Sequence, residues 1–225
     1  MKHITKKLDS SQTTLVIVPH ADDETLLAGG TLHKLSQQGH NIHIAFIRDS
    51  HDTRTRTQLL YAKTSAKYLG ATDVHYLNIT EEQISNDFLT LKVAVENIIQ
   101  TIKPTTILTT FWGDNHQDHR NTFRAVSVAC RHHTAPFVET ILVGEILSST
   151  EQNIGTEVFT PTIYVPLSNE NMQAKVKAME SYITEKRLHP HGRSAENIYA
   201  QATYRGARIN TLYAEAFMCM KHIWC

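Results

Sequence analysis

The 225-residue sequence has three cysteines, no net charge and no long apolar run. Its cysteines show no C-x-x-C spacing, which argues against a disulfide framework or a thiolate zinc site. Twenty-two basic and 22 acidic residues cancel, so charge does not favour nucleic-acid or membrane-surface binding. No stretch approaches the roughly 20 apolar residues of a membrane span, and residues 1–7 lack the apolar core of a signal peptide. We therefore expect a cytoplasmic protein with one hydrophobic core.

Apolar runs of strand length alternate with segments of helical period along the chain. Strands are expected at 15–19, 42–47, 74–77, 105–110, 139–147 and 163–165. Helices are expected at 25–38, 59–69, 91–102, 123–130, 172–183 and 194–204. This order predicts an α/β fold: a doubly wound, mostly parallel, Rossmann-like sheet with helices on both faces, in a single domain. The type of the apolar segment 213–223 stays open.

Two glycines, two prolines and one polar segment give local indications of structure. Gly29 and Gly30 lie inside the first helix, where each costs about 1 kcal/mol relative to alanine. A close approach of helix to sheet would compensate that cost, whereas a phosphate-binding loop is disfavoured because the pair is not G-x-G-x-x-G. Prolines at both ends of 163–165 predict an edge strand. Residues 48–57 read as a polar loop before the second helix.

Polar clusters follow two of the expected strands. The first strand ends at Pro19, and residues 20–24 then contain a histidine and three carboxylates. Residues 112–120, Trp-Gly-Asp-Asn-His-Gln-Asp-His-Arg, follow the fourth strand. In an open parallel sheet, ligands bind in the crevice outside the carboxyl ends of the strands. We therefore expect both clusters to face one crevice.

The clusters contain the ligand types of a catalytic metal site. His20, one of Asp22 or Asp23, and His116 or His119 would supply three protein ligands and leave a position for water. The second aspartate would then accept a proton from the activated water. The residues alone do not decide which aspartate binds the metal and which accepts the proton. In the competing interpretation the aspartates cap the next helix and the second cluster is a polar loop.

The two clusters resemble the motifs of a known superfamily, the LmbE-like (PIG-L) N-acetylglucosaminyl deacetylases. Residues 19–24, Pro-His-Ala-Asp-Asp-Glu, are similar to its P-H-P-D-D-E motif, and residues 116–119, His-Gln-Asp-His, to its H-x-D-H motif. Ala21 replaces the usual proline and removes no functional group. Four further segments look like the family's pattern and extend the resemblance over most of the chain: 27–31, 69–70, 204–206 and 213–217.

The resemblance implies a role for each motif residue. Three residues would bind the metal, usually zinc: His20, Asp23 and His119. Asp22 would be the general base, and His116 would stabilise the developing oxyanion or protonate the leaving amine. Asp118 would orient His116. Two histidines and a carboxylate suit Zn²⁺ and Fe²⁺ alike, so the metal is not decided between them.

The resemblance also implies where substrate binds. The family commonly places an arginine near the acetyl group in the loop before the second helix, and Arg54 or Arg56 would fill that role. Independently of the resemblance, four further loop residues are candidate contacts to a sugar or a phosphate: His51, His189, His191 and Arg193. We expect one LmbE-like domain over residues 1–225, with the metal-site core at about 13–150 and a substrate-side extension at about 151–225.

The expected function is hydrolysis by metal-activated water that removes the acetyl group from an N-acetylated amino sugar of the N-acetylglucosamine type. The alternatives are an amidohydrolase acting on another acyl amide and a non-catalytic ligand-binding module of the same fold. A dinucleotide-binding protein is disfavoured because the glycine fingerprint is absent. The expected partner is a small molecule and not nucleic acid, and the apolar strands are compatible with a homo-oligomer.

Overall fold

The computed structural model describes residues 12–48 and 53–224, with the backbone alone at 53–56 and 59. Within these ranges the strands are β1 (Thr13–Val18), β2 (Asn41–Arg48), β3 (Asp73–Ile79), β4 (Thr106–Thr110), β5 (Thr140–Gly144), β6 (Ile163–Leu167) and β7 (Tyr213–His222). They form a seven-stranded sheet in the order β3-β2-β1-β4-β5-β7-β6. Strands β1 to β5 are parallel, whereas β7 pairs antiparallel with both β5 and β6.

Helices cover both faces of this sheet. They are α1 (Asp23–Gln37), α2 (Thr53–Leu69), α3 (Glu81–Asn86), α4 (Phe88–Ile102), α5 (Gln117–Ala129), α6 (Asn169–Ser181) and α7 (Ala195–Ala207). Helices α1, α2, α6 and α7 pack on the face that presents Val16 and Val18, and α3, α4 and α5 pack on the face that presents Leu15 and Ile17. Because both faces are buried, β1 is apolar without alternation.

The predicted doubly wound, mostly parallel fold is confirmed. So is the edge position of the sixth strand, β6. The Ser194 side chain accepts a hydrogen bond from the backbone N–H of Asn197 at 3.3 Å and caps α7. The segment whose type stayed open is β7. In the described part of the chain, no helix has both the length and the apolar character that a membrane crossing requires.

Some predicted boundaries were wrong. Helix α2 already begins at Thr53, inside the expected polar loop, and α3 was not expected. Strand β5 ends at Gly144, where a Cβ would lie 2.8 Å from Leu27 Cγ. Helix α6 ends at Ser181, and Ile183 is exposed. The buried residue at this end of α6 is instead Tyr182, whose hydroxyl donates to the carboxylate of Glu24 at 2.7 Å.

The glycine pair in α1 does mark a close approach to the sheet. A Cβ on Gly30 would lie 2.5 Å from Leu167 Cδ1 on β6, and one on Gly29 would lie 3.0 Å from Lys175 Cγ on α6. Larger side chains would push α1 away from both neighbours. The predicted helix–sheet contact is therefore confirmed, and it keeps the start of α1 close to the sheet.

A buried ion pair fastens α1 to the C-terminal elements. Lys175 Nζ lies 2.6 Å from Glu215 Oε1 and donates to the carbonyl of Leu26 at 2.9 Å. The two oxygens of Glu215 also accept the backbone N–H groups of Gly30 and Thr31, at 3.0 and 2.7 Å. These amides follow a break in α1, where the backbone φ is −149° at residue 28. The pair thus joins α1, α6 and β7.

Replacing Lys175 with methionine should lower the free energy of unfolding by about 3–5 kcal/mol, because Glu215 would keep a buried charge without a cation. Urea denaturation followed by circular dichroism measures this loss. The control is Lys177→Met on the exposed side of the same helix, which should change stability by no more than about 0.5 kcal/mol. Equal effects of the two substitutions would contradict the prediction.

Candidate active site

The polar segments meet where the strand order reverses between β1 and β4. Residues 20–24 follow β1, and His116 is the N-cap of α5, which places Asp118 and His119 in its first turn. Both segments line a cavity of about 250 Å³. Its other lining residues come from β2, α2 and the C-terminal half of the chain: Arg48, Gln58, Asn115, Ser148, Ser149, Glu185 and Arg193. The predicted shared crevice is therefore present.

Three of the expected ligands converge on one point of this cavity. Asp23 Oδ2 lies 3.1 Å from His20 Nδ1 and 3.2 Å from His119 Nε2. One donor atom from each of these residues lies within 4.8 Å of the others. Two imidazole nitrogens and one carboxylate oxygen form a common ligand set for a catalytic divalent cation. The residues present therefore fit such a cation.

Each histidine of this set has its second ring nitrogen against another carboxylate. His20 Nε2 lies 3.1 Å from Asp118 Oδ2, and His119 Nδ1 lies 3.0 Å from Asp114 Oδ1. A carboxylate behind a metal-binding imidazole fixes the tautomer and the orientation of the ring. This arrangement leaves His20 Nδ1 and His119 Nε2 as the nitrogens that face Asp23.

Asp118 has a different partner from the one that the resemblance implies. Its carboxylate lies against His20, whereas its contact with His116 is a backbone N–H that donates to His116 Nδ1 at 3.1 Å. A second set of donor atoms, from His20, His116 and Asp118, also lies within 4.8 Å. The set around Asp23 is the better cation site, because His119 and Asp23 are buried and both its histidines have orienting carboxylates.

Asp114 is a site residue that the sequence analysis did not single out. It is buried, and its oxygens accept hydrogen bonds from the Ser149 hydroxyl, from the Thr150 hydroxyl at 2.6 Å and from the His116 N–H at 2.8 Å. Burial alone would raise the pKa of Asp114, but the hydrogen bond and charge of His119 hold it below the usual value. Its position two residues before the H-x-D-H motif is the available sequence signal.

Asp22 is buried beside the ligands in an uncommon backbone conformation. Its φ is 129°, a region that costs a non-glycine residue about 1–3 kcal/mol and is often found at functional sites. Arg193 Nη1 lies 2.8 Å from Asp22 Oδ2 and 3.2 Å from Glu185 Oε2. Burial and the charge of Asp23 raise the pKa of Asp22 to about 8, and Arg193 opposes that shift.

Nearby carboxylates raise the pKa values of half-buried His20 and buried His119. Burial opposes their charged forms, yet hydrogen bonds to Asp118 and Asp23 raise the pKa of His20 to about 9. The charges and hydrogen bonds of Asp23 and Asp114 raise the pKa of His119 to about 10. The same two histidines hold the pKa of Asp23 well below its usual value, although burial alone would raise it. Positive charge at this point therefore offsets the buried carboxylates.

His116 differs from the other two histidines because it is exposed at the cavity. Its ring centroid lies 4.8 Å from that of His20 and 4.9 Å from that of His119. Partial burial and the charges of the two neighbouring histidines lower its pKa. Because Nδ1 accepts the Asp118 N–H, the proton of the neutral ring sits on Nε2. His116 can thus offer an N–H to a molecule in the cavity.

Glu24 lies beneath the cavity as a support. Its buried carboxylate accepts hydrogen bonds from the hydroxyls of Thr25, Ser65 and Tyr182, each at 2.7 Å, and from the Asp22 N–H at 3.1 Å. These donors belong to α1, α2 and the segment after α6. Glu24 thereby fixes the turn that carries Asp22, and burial raises its own pKa.

Among the described residues, His191 does not line the cavity, although it is an expected substrate contact. Arg54 and Arg56 fall in the first turn of α2, where their side chains lie outside the described part of the structure. His191 is exposed, and its Nδ1 accepts the backbone N–H of Arg193 at 3.1 Å. Among the arginines whose side chains the structure describes, Arg193 and Arg48 line the cavity. Arg193 is one of the loop residues named above as candidate contacts, whereas nothing in the sequence singled out Arg48.

A family model and solved structures are similar to this chain. The PIG-L model, described as GlcNAc-PI de-N-acetylase, matches residues 15–130, just over half of the chain. An inhibitor complex of N,N'-diacetylchitobiose deacetylase from Pyrococcus horikoshii is 18% identical, with a TM-score of 0.73, covering 94% of this chain and 84% of that chain. The zinc-inhibited form of a teicoplanin deacetylase is 16% identical, with a TM-score of 0.74 and coverages of 92% and 97%.

A third solved structure of this fold has another activity. The 4-carboxy-2-hydroxymuconate hydratase from Pseudomonas putida is 15% identical, with a TM-score of 0.73, covering 95% of this chain and 98% of that chain. At these identities the likeness establishes the shared fold. Since the fold serves more than one reaction, the function has to be argued from the site residues.

Metal affinity should rise with pH between about pH 6 and 9, because a cation must displace protons from His20 and His119. Both histidines have raised pKa values, so the protonated rings that compete with the metal become fewer as pH increases. Competition with a chromophoric chelator measures the dissociation constant of Zn²⁺ at each pH. Affinity independent of pH over this range would contradict the assignment of both histidines as ligands.

Asp114→Asn should weaken zinc binding about 10–100-fold, since the His119 ring would lose its orienting carboxylate. The same chelator competition measures this change. Asp87→Asn makes the same chemical change at the N-cap of α4, outside the cavity, where asparagine caps equally well. It should leave zinc affinity unchanged. A similar zinc affinity of Asp114→Asn and Asp87→Asn would show that Asp114 is not part of the metal site.

Proposed function

The chain belongs to the PIG-L family of GlcNAc-PI de-N-acetylases, and on this premise we propose that it is a metal-dependent hydrolase that deacetylates an N-acetylated amino sugar. One observation carries the proposal: the convergence of His20, Asp23 and His119 beside buried Asp22 and exposed His116. The proposed cation is Zn²⁺, and Fe²⁺ suits the same donors. The proposed substrate is a conjugate of N-acetylglucosamine.

His20 Nδ1, Asp23 Oδ2 and His119 Nε2 would hold the cation, with Asp118 and Asp114 fixing the two rings. When bound, the cation would polarise the acetamide carbonyl and lower the pKa of the attacking water. The protein supplies the rest of the reaction through groups that accept, donate and orient. These groups are already in position around the cavity, which favours catalysis because little reorganisation is needed.

Asp22 is the proposed general base. Arg193 engages its Oδ2 at 2.8 Å, so we assign proton transfer to Oδ1. Arg193 and the hydrogen bond from the Asp22 N–H to Glu24 hold the carboxylate in one orientation. The uncommon backbone φ of Asp22 supports this role, because such conformations persist where the surrounding structure stabilises them for function.

His116 is the proposed donor to the substrate. Its Nε2–H would donate to the oxygen that gains negative charge when water attacks the carbonyl carbon. The C–N bond then breaks, and the proton that Asp22 Oδ1 took from the attacking water would pass to the leaving nitrogen, while the His116 Nε2–H keeps its hydrogen bond to the substrate oxygen. The products are acetate and a free amine. The exposure of His116 supports this role, since the donor must reach a substrate that enters from solvent.

The part of the chain after residue 150 is the proposed substrate side of a single domain. Glu185 and Arg193 lie in this part and line the cavity, which supports its role. The side chains of Arg54, Arg56 and His191 are further proposed contacts. Because the catalytic set acts on the acyl group alone, hydrolysis of another acyl amide is the second candidate. A non-catalytic binding module is disfavoured because the ligands and the base are all present.

Asp22→Asn should lower the rate of amine release by about 10²–10⁴-fold while zinc still binds, because the general base is lost and the ligands remain. The assay measures free amine from a panel of N-acetylglucosamine conjugates, with metal-stripped and zinc-reloaded protein in parallel. Asp87→Asn again serves as the control. Full activity in Asp22→Asn would exclude Asp22 as the base.

The panel also separates the candidate functions. Release from N-acetylglucosamine conjugates that depends on zinc supports the proposed deacetylase. Release only from acyl amides without a sugar supports the second candidate. Stoichiometric zinc binding without release from either type of compound would overturn both enzymatic proposals and leave a binding module.

A further inference from the structure

A second group of metal-type ligands lies near the opposite end of the sheet. His43 is the third residue of β2, and Asp73 and His75 are the first and third residues of β3. In the parallel register, His43 is paired with Asp73, and Ala45 is paired with His75. The candidate active site follows the carboxyl ends of β1 and β4, so these three residues belong to a different place.

The three side chains bring their donor atoms close together. His43 Nδ1 lies 3.1 Å from His75 Nε2, and His75 Nε2 lies 3.9 Å from Asp73 Oδ2. The donors of all three residues lie within 4.8 Å of one another. Asp73 Oδ1 accepts the N–H of Val74 at 2.8 Å, which turns the other oxygen toward His75.

We propose that His43, Asp73 and His75 form a second binding site for a divalent transition-metal cation of the zinc, copper and nickel class. Zinc–nitrogen bonds of about 2.0–2.1 Å in tetrahedral geometry separate two nitrogens by about 3.3 Å. The observed 3.1 Å is close to this separation, and it is also the length of a hydrogen bond between the two rings, which a cation would replace. Imidazole donors select these cations over Mg²⁺ and Ca²⁺, which prefer oxygen.

The surroundings of the cluster suit a bound cation. His43 and His75 are half-buried, and Asp73 is exposed, so solvent water can complete the coordination while the sheet holds the ligands. Burial and the proximity of His75 lower the pKa of His43, although Asp73 opposes this shift.

The site would join β3, which is at the edge of the sheet, to β2. A cation that binds only the folded chain stabilises it by mass action. If the two imidazoles only shared a hydrogen bond, zinc beyond one equivalent would not change the melting temperature. With a second metal site, the melting temperature should rise further when zinc is added beyond one equivalent. The site does not depend on the proposed deacetylase activity, because none of its residues lines the active-site cavity.

The test is a zinc titration against a chromophoric chelator on the full chain. We expect two zinc equivalents for the wild-type protein and one for each of His43→Gln, His75→Gln and His119→Gln. The remaining zinc should lie at the active site in His43→Gln and His75→Gln, and at the new site in His119→Gln. Asp73→Asn, an exposed change that leaves the folded core untouched, should weaken the second equivalent about tenfold or more.

Exposed His133 provides the matched control, and His133→Gln should retain both equivalents. The imidazole NMR signals of His43 and His75 should shift with the second equivalent, and deacetylase activity should be unchanged in His75→Gln. A wild-type protein that binds one equivalent, lost in His119→Gln, would overturn the proposal. So would a second equivalent that persists in both His43→Gln and His75→Gln.

Discussion

The burial of several carboxylates at one end of the sheet is the constraint on which the rest of the site depends. Asp22, Asp23, Glu24, Asp114 and Asp118 are all buried there. A buried carboxylate without a partner costs several kcal/mol. Each of the five therefore has compensating groups in the structure: an arginine, histidines, hydroxyls or backbone amides. The requirement for these partners ties distant parts of the chain to the two motifs.

The C-terminal half supplies much of this compensation. Arg193 contacts Asp22, Tyr182 donates to Glu24, and Ser149 and Thr150 donate to Asp114. The family model matches only residues 15–130, yet the electrostatic balance of that region includes groups from beyond it. The buried pair of Lys175 with Glu215 holds the same half against α1. Changes after residue 150 can therefore alter the metal site through contacts as well as through substrate binding.

Protons and a cation compete for the same position between the two motifs. The carboxylates around His20 and His119 raise the pKa values of these histidines, and the two histidines in turn lower the pKa of Asp23. A divalent cation at the proposed metal site would supply positive charge between the two motifs and would require both rings to be neutral. Asp114 and Asp118 can orient the two rings whether the rings are protonated or bind a metal, because a carboxylate accepts a hydrogen bond from either a neutral or a charged imidazole. The buried carboxylates thus make the site selective for positive charge.

The sequence by itself determined the parallel sheet, the edge position of β6, and the meeting of residues 20–24 with 116–119, because apolar periodicity and strand order carry that information. Only the tertiary structure decided that Asp118 contacts His20, that Asp114 contacts His119, and that Arg193 reaches Asp22. It also brought His43 close to Asp73 and His75 on β3. Such contacts join residues far apart in the chain and depend on strand register, helix packing and side-chain rotamers, none of which leaves a periodic pattern in the sequence.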